Sequence, residues 1–378
     1  MIDFSSIAVS GVRGLLPYQP GKPIDELERE LGISDIIKLA SNENPLGTPA
    51  SAQAAIEAAL PQLALYPDGS AFRLKSKLAE KLGVDIAQIT IGNGSNELLD
   101  LVARVFLSPK DNAVVSRHAF IVYPIAVNAL GAELRVAEAK NFGHDLDKMA
   151  ALVDESTKLV FIANPNNPTG NWLGISEIEQ FLQKIPQQVL VVLDEAYHEY
   201  VEKPDYASGM TLLSQFPNLI ISRTFSKAYG LAGLRVGYCV SHAQVADLLN
   251  RLREPFNVNS LALAAADAVL DDEDYLARGL AVNRQGMAQL EAGLRALELP
   301  FIESAGNFIA INFGQDAAPL YQDFLREGII VRPVGVYEMP AWLRVSVGLP
   351  EQNARFLLSC KKVLSGKSVV GSQAAPAR

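Results

Sequence analysis

A lysine set among hydroxyls and followed by a second cation carries the most telling chemistry in this chain. Lys227 lies in Ser222-Arg-Thr-Phe-Ser-Lys-Ala-Tyr-Gly-Leu-Ala-Gly-Leu-Arg-Val-Gly237, just after the apolar run Leu219-Ile220-Ile221. A protonated amine is a poor nucleophile, so a reacting lysine needs a special environment. Thr224, Ser226 and Arg235 would supply one in which an aldehyde cofactor is held as a Schiff base beside its phosphate. The plain alternative is a solvated surface lysine, and three upstream segments argue against it.

Gly92-Asn93-Gly94-Ser95-Asn96-Glu97 follows a short apolar strand and opens a helix. Glycines permit a tight turn, and the N–H groups of a helix start attract an anion. Ser95 can cap that helix or bond a phosphate oxygen. The dinucleotide fingerprint GxGxxG fails, because Glu97 stands where its third glycine would be. Alone, this segment reads as a capped helix. Val189-Leu-Val-Val-Leu-Asp194-Glu195-Ala196-Tyr197 ends a strand-like run with an acid, and ligands of open α/β sheets sit at strand carboxyl ends. There Asp194 could pair with a protonated pyridine nitrogen, and Tyr197 could reach a ring oxygen. In isolation Asp194 reads equally as a helix cap. Ala163-Asn164-Pro165-Asn166-Asn167-Pro168-Thr169-Gly170 fixes a rigid loop from which Asn167 could donate to a phenolate oxygen.

Short apolar runs alternating with amphipathic stretches must position these groups. Strands are predicted at Ala113–Val115, Leu134–Val136, Leu159–Ala163, Val189–Leu193, Leu219–Ile221 and Val236–Val240, with helices such as Asn96–Leu107 and Ile175–Lys184 between them. Runs buried on both faces argue for an α/β class with a mostly parallel central sheet. After Pro255 the pattern changes to a long helical stretch, Ser260–Leu297, broken around Asp271–Asp274. Strands at Phe308–Phe313, Ile329–Val331 and Leu343–Val347 follow, with a helix at Tyr321–Glu327. The expected organisation is an N-terminal arm over 1–40, a large domain over 41–255, a smaller α+β C-terminal domain over 256–365 and a disordered tail over 366–378.

Composition removes several function classes. The 378 residues suffice for two domains. A net charge of −9 without a basic block argues against a nucleic-acid partner. Cys239 and Cys360 show no CxxC spacing, which argues against a disulfide framework and fits a reducing, cytoplasmic setting. His118, His144, His198 and His242 have no metal-ligand spacing. Asp194–His198 lacks the first histidine of HExxH, so no metal is expected. No signal peptide is visible and no apolar run reaches membrane length, so no membrane partner is expected either.

Taken in order, the glycine-rich cap, NPNNPTG, DEAY and SKAYGLAGLR resemble the fold-type-I pyridoxal 5'-phosphate (PLP) enzymes, specifically the aminotransferases. The resemblance implies that Lys227 carries the cofactor covalently and shuttles the proton. It implies that Asp194 keeps the pyridine nitrogen protonated and that Tyr197 and Asn167 contact the ring hydroxyl. Gly94, Ser95, Thr224, Ser226 and Arg235 would bind the cofactor phosphate. Phe120, in Ala119-Phe-Ile-Val-Tyr-Pro124, matches the aromatic that stacks on the ring; from its residue type alone it is nearly as readily a core phenylalanine.

Other segments resemble the histidinol-phosphate aminotransferases in particular: Leu16–Pro23, Lys38–Gly47, Leu65-Tyr66-Pro67-Asp68-Gly69 and Glu254–Asn259. The implied substrates are L-histidinol phosphate and glutamate or 2-oxoglutarate, in histidine biosynthesis. Arginine forks suit phosphate and carboxylate alike, and Arg332 and Arg344 match that family's anion-binding arginines. Asn42 belongs to the same substrate-facing set, and Tyr18 resembles the arm residue that closes over the substrate phosphate. Tyr66 resembles the residue that reaches the neighbouring subunit's cofactor phosphate, implying a homodimer with shared active sites. Two rivals share the scaffold. One is an aromatic (Phe/Tyr) aminotransferase, whose apolar pocket differs little from one for imidazole. The other is a threonine-phosphate decarboxylase.

Overall fold

The structure, a computed structural model, describes residues 2–17 and 21–366. Tyr18 and nearly all of the tail expected over 366–378 lie outside the described residues. The chain divides into two units. The larger comprises Met1–Tyr18, Glu43–Ala281 and Glu303–Asn307, and the smaller Gln19–Asn42, Val282–Ile302 and Phe308–Arg378.

In chain order the strands are β1 (Ile37–Lys38), β2 (Ile89–Gly92), β3 (Asn112–Ser116), β4 (Glu133–Ala137), β5 (Thr157–Ala163), β6 (Leu190–Asp194), β7 (Leu219–Thr224) and β8 (Gly237–Val240). Then come β9 (Phe301–Ile302), β10 (Phe308–Asn312), β11 (Ile329–Ile330), β12 (Arg332–Pro333) and β13 (Trp342–Ser346).

The larger unit is built on a seven-stranded sheet ordered β2-β8-β7-β6-β5-β3-β4. Its pairings are parallel from β7 through β4, while β8 runs antiparallel to both β7 and β2. The sheet is therefore mostly parallel, as expected, with one reversed strand. Alternation along β5 shows why its sequence is apolar throughout. Leu159, Phe161 and Ala163 face one core with Leu98 and Val102. Val160 and Ile162 face the other with Ile178, Phe181 and Leu182. A side chain such as Phe161 contributes about 1.5–3 kcal/mol by leaving water. The helix Gly94–Phe106 follows β2 directly, and the helix Ile175–Lys184 follows β5, where it was predicted.

In the smaller unit an antiparallel sheet, β12-β13-β10-β9, packs Ile309, Ile311, Leu343 and Val345 against Phe324, Phe356, Leu290 and Leu294. β1 and β11 pair in parallel beside it. The break expected near Asp271–Asp274 separates the helices Ser260–Val269 and Glu273–Ala296.

Candidate active site

Register aligns the chemistry. Ala163 of β5 pairs with Asp194 of β6, and Asp194 pairs with Ser222 of β7. The NPNNPTG loop, the DEAY turn and the Lys227 loop thus leave three adjacent parallel strands at the same carboxyl edge, where ligands of such sheets bind.

Asp194 is only 4% exposed. Its Oδ2 accepts a 2.8 Å hydrogen bond from the Tyr123 hydroxyl, while Oδ1 has no hydrogen-bond partner among the described residues. Burial pushes this carboxyl up to about 6, against the opposing Tyr123 hydroxyl and Ala196 N–H. Asn167 Nδ2 donates to the Tyr197 hydroxyl at 3.2 Å, and Lys227 Nζ lies 5.9 Å from the Tyr197 ring centroid. Asn167, Tyr197 and Lys227 therefore meet around one ring.

The Lys227 loop is held from below. Asn44 Nδ2 donates to Ala228 O at 2.9 Å, and the Tyr275 hydroxyl to Gly47 O at 2.5 Å. Gly230 adopts φ +68°, and a Cβ there would collide with both Tyr275 and Gly47. On the other side of the site, Gly170, at φ +85°, leaves no room for a side chain against Ser304. Its carbonyl accepts from Ala305 N at 2.9 Å.

A second cluster has the shape of an anion cradle. Arg235 sits in the left-handed region at φ 58°, an unusual place for a non-glycine residue. Its Nη1 donates to Ser226 Oγ at 3.1 Å and Ala232 O at 3.0 Å. Ser226 N in turn donates to Thr224 Oγ1 at 3.1 Å. A Cβ on Gly94 would run into the Arg235 guanidinium, and one on Gly237 would come within 2.7 Å of Ser95 N. Gly94, Ser95, Thr224, Ser226 and Arg235 are thus gathered at the start of the Gly94–Phe106 helix, whose N–H groups favour an anion. An acceptor oxygen left over on Asp194, a lysine beside Tyr197 and this cradle fit a phosphorylated pyridine aldehyde.

Phe120 is half-buried and meets Tyr123 edge-on, with centroids 5.8 Å apart. Tyr66 is 82% exposed and stacked on Phe256, with ring centroids 4.7 Å apart. Asn42, Arg332 and Arg344 belong to the smaller unit. There Arg344 is 7% exposed, donates to Ala40 O at 2.6 Å and lies over the Phe308 ring. Arg332 is its direct cross-strand partner. Asn42, at φ 53°, donates its N–H to Ser346 Oγ at 2.8 Å and accepts from that hydroxyl at 3.0 Å.

Residues 34–359 match the sequence model of the family described as aminotransferase class I and II. The chain belongs to that family. Among its class I and II aminotransferase relatives, one from Pseudomonas aeruginosa named histidinol-phosphate aminotransferase 2 is 60% identical over 97% of this chain and 100% of its own length. One from Idiomarina loihiensis named histidinol-phosphate aminotransferase 1 is 52% identical over 96% of this chain and 100% of its own. Among solved structures, the histidinol-phosphate aminotransferase from Sinorhizobium meliloti, in complex with pyridoxal-5'-phosphate, superposes with a TM-score of 0.88 at 29% identity. That match covers 95% of this chain and 97% of the other.

Some residues of the site carry no sequence label. Tyr123 and Asn44 support it, and the buried pair Glu195–Arg223 braces the strand end on the opposite face, yet no motif spacing in the sequence marks any of them. Arg223 donates to Glu195 through Nε at 3.0 Å and Nη2 at 2.8 Å. Alternation alone could have flagged Glu195, because its neighbour Asp194 points to the opposite face of the strand.

Proposed function

We propose that this chain is a PLP-dependent histidinol-phosphate aminotransferase. It would move the amino group of L-histidinol phosphate to 2-oxoglutarate, giving imidazole-acetol phosphate and L-glutamate in histidine biosynthesis. The observation that carries the chemistry is Asp194: a buried carboxylate with one oxygen left without a donor among the described residues, on the strand beside the one that leads to Lys227. The substrate follows from relatives of that name at 52–60% identity over nearly the whole chain.

Bound PLP supplies an electrophilic aldehyde carbon and a protonated ring that accepts the electron pair released at the substrate carbon. Lys227 Nζ would hold it covalently and, as a free amine, would carry the proton between the amine-bearing substrate carbon and the cofactor's aldehyde carbon, in one direction in the first half-reaction and in the other in the second. Asp194 keeps the ring nitrogen protonated. Asn167 and Tyr197 would contact the ring oxygen, and Phe120 would stack on the ring. Gly94, Ser95, Thr224, Ser226 and Arg235 hold the phosphate.

Arg332, Arg344, Asn42 and Tyr18 serve the substrate's anionic group. Arg332 and Arg344 support this by standing opposite each other across two paired strands, and arginine forks suit a phosphate or carboxylate. Tyr66 reaches the cofactor phosphate of a second copy in a homodimer. Its exposure supports that role, as does the row of exposed apolar residues Leu60, Leu63, Leu65 and Phe72 nearby in the chain. The setting is the cytoplasm, a reading supported by the free thiols Cys239 and Cys360, which fit a reducing compartment.

Two measurements test this reading. Borohydride reduction with PLP should fix a mass increment on Lys227, and Lys227→Ala should lose both the increment and turnover. Near-normal turnover in that variant would sink the assignment. With 2-oxoglutarate as acceptor, the specificity constant for histidinol phosphate should exceed that for phenylalanine by roughly a hundredfold or more, which is more than apolar pocket shape alone provides. Parity would indicate an aromatic aminotransferase, and carbon dioxide release without any keto acid a decarboxylase.

A further inference from the structure

Asp194 accepts a side-chain hydrogen bond on Oδ2, the Ala196 N–H also favours its ionised form, and Oδ1 makes no hydrogen bond to the described residues. A carboxylate turns easily about its last torsion, which is broad and two-fold. Something must therefore decide which oxygen is free and where it points.

We propose that Tyr123 is the positioning residue of the Asp194 carboxylate, its hydroxyl pinning Oδ2 so that Oδ1 remains for the pyridine nitrogen of bound PLP. The inference rests on the reading that Asp194 pairs with that nitrogen. An ionised carboxylate only accepts, so the hydroxyl donates, and the 2.8 Å bond is charge-assisted.

Tyr123 has little freedom of its own. It is fully buried, stacked on Phe161 with centroids 4.9 Å apart and planes 12° from parallel, and met edge-on by Phe120. Its N–H donates to Phe120 O at 3.1 Å. A single turn of chain at the start of the helix Val122–Ala129 thus places both the aromatic assigned to the ring face and the hydroxyl that steers the nitrogen's partner. Ring stacking and ring protonation are set by one rigid piece. The bond also opposes the effect of burial, which favours the protonated acid.

Tyr123→Phe removes only the hydroxyl and keeps both ring contacts. Protein loaded with PLP labelled with nitrogen-15 in the ring should show its nitrogen resonance shifted toward the unprotonated position. The dissociation constant for PLP should rise roughly tenfold, and kcat should fall by a similar factor with both KM values nearly unchanged. Phe161→Leu loosens the tyrosine but keeps its hydroxyl, and should move the resonance the same way by less. A folded Tyr123→Phe protein with wild-type nitrogen resonance and PLP affinity would overturn the proposal. So would a Phe161→Leu shift larger than that of Tyr123→Phe, because packing would then be the cause. Wild-type protein that takes up no PLP at Lys227 would instead remove the reading beneath it, so the two failures are distinguishable.

Discussion

Asp194 and Glu195 are neighbours at the end of one strand, both almost fully buried, and the fold treats them in opposite ways. Glu195 accepts from the Gly209 N–H at 2.7 Å, the Ser208 hydroxyl at 2.8 Å and two nitrogens of Arg223. Asp194 accepts from Tyr123 on one oxygen, and its other oxygen has no hydrogen-bond partner among the described residues. Strand alternation sends the two side chains to opposite faces. A buried charge that only holds the fold together is saturated with donors, because each missing one costs stability. A buried charge kept short of a donor is waiting for a ligand to provide it.

The contrast can be broken at either carboxylate. Asp194→Asn should lower kcat/KM by roughly three orders of magnitude, about 4 kcal/mol of transition-state stabilisation, while the cofactor-free variant melts no lower than wild type. A variant that kept most of its activity would make Asp194 a second structural charge. Arg223→Met should do the reverse. It strands the Glu195 charge and costs about 3–4 kcal/mol in urea unfolding, while kcat per loaded site changes little. A large loss of kcat at unchanged stability would erase the distinction.

Proton linkage sharpens the comparison further. Burial raises the Asp194 carboxyl from 3.8 to about 6 in the folded chain. The folded state thus holds that proton more tightly than the unfolded one. Its contribution to stability is full below about pH 4 and is lost as the pH rises through about 6. Asn at this position has no such proton. The cofactor-free Asp194→Asn variant should therefore gain on wild type between about pH 4 and 7, by up to roughly 3 kcal/mol. Taking the difference is necessary, because other buried groups titrate in the same range. His144 and His198 are held down to about 4, and Glu199 is raised to about 7, all by burial. A flat difference would mean that Asp194 is solvated. The smallest effect belongs to Ser208→Ala, which removes one of several donors to Glu195 and should cost about 1 kcal/mol without altering the PLP spectrum.

Much of this was legible in the sequence, for identifiable reasons. Runs such as Leu159–Ala163 read as strands because burial on both faces demands an unbroken apolar stretch, and the four motifs each fall at the end of one. Direction was not legible. Val236–Val240 was correctly read as a strand, but nothing in its composition says that β8 runs antiparallel to its neighbours. The proposed cofactor contacts could be named by resemblance because short loops keep their residues together. Tyr123 was not, because its hydroxyl meets a partner 71 residues away in the chain. Arg223 likewise finds Glu195 only through the pairing of β6 with β7. Hydrogen bonds made across a sheet leave no spacing to read.

The facing arginines of β12 and β13 have a practical consequence at the bench. Arginine forks suit small oxyanions, and if this pair binds the substrate's anionic group, phosphate or sulfate buffer should act as a competitive inhibitor against histidinol phosphate. Rates compared between laboratories would then differ with the choice of salt alone, and a zwitterionic buffer low in sulfate is the condition in which the enzyme's own preference can be read.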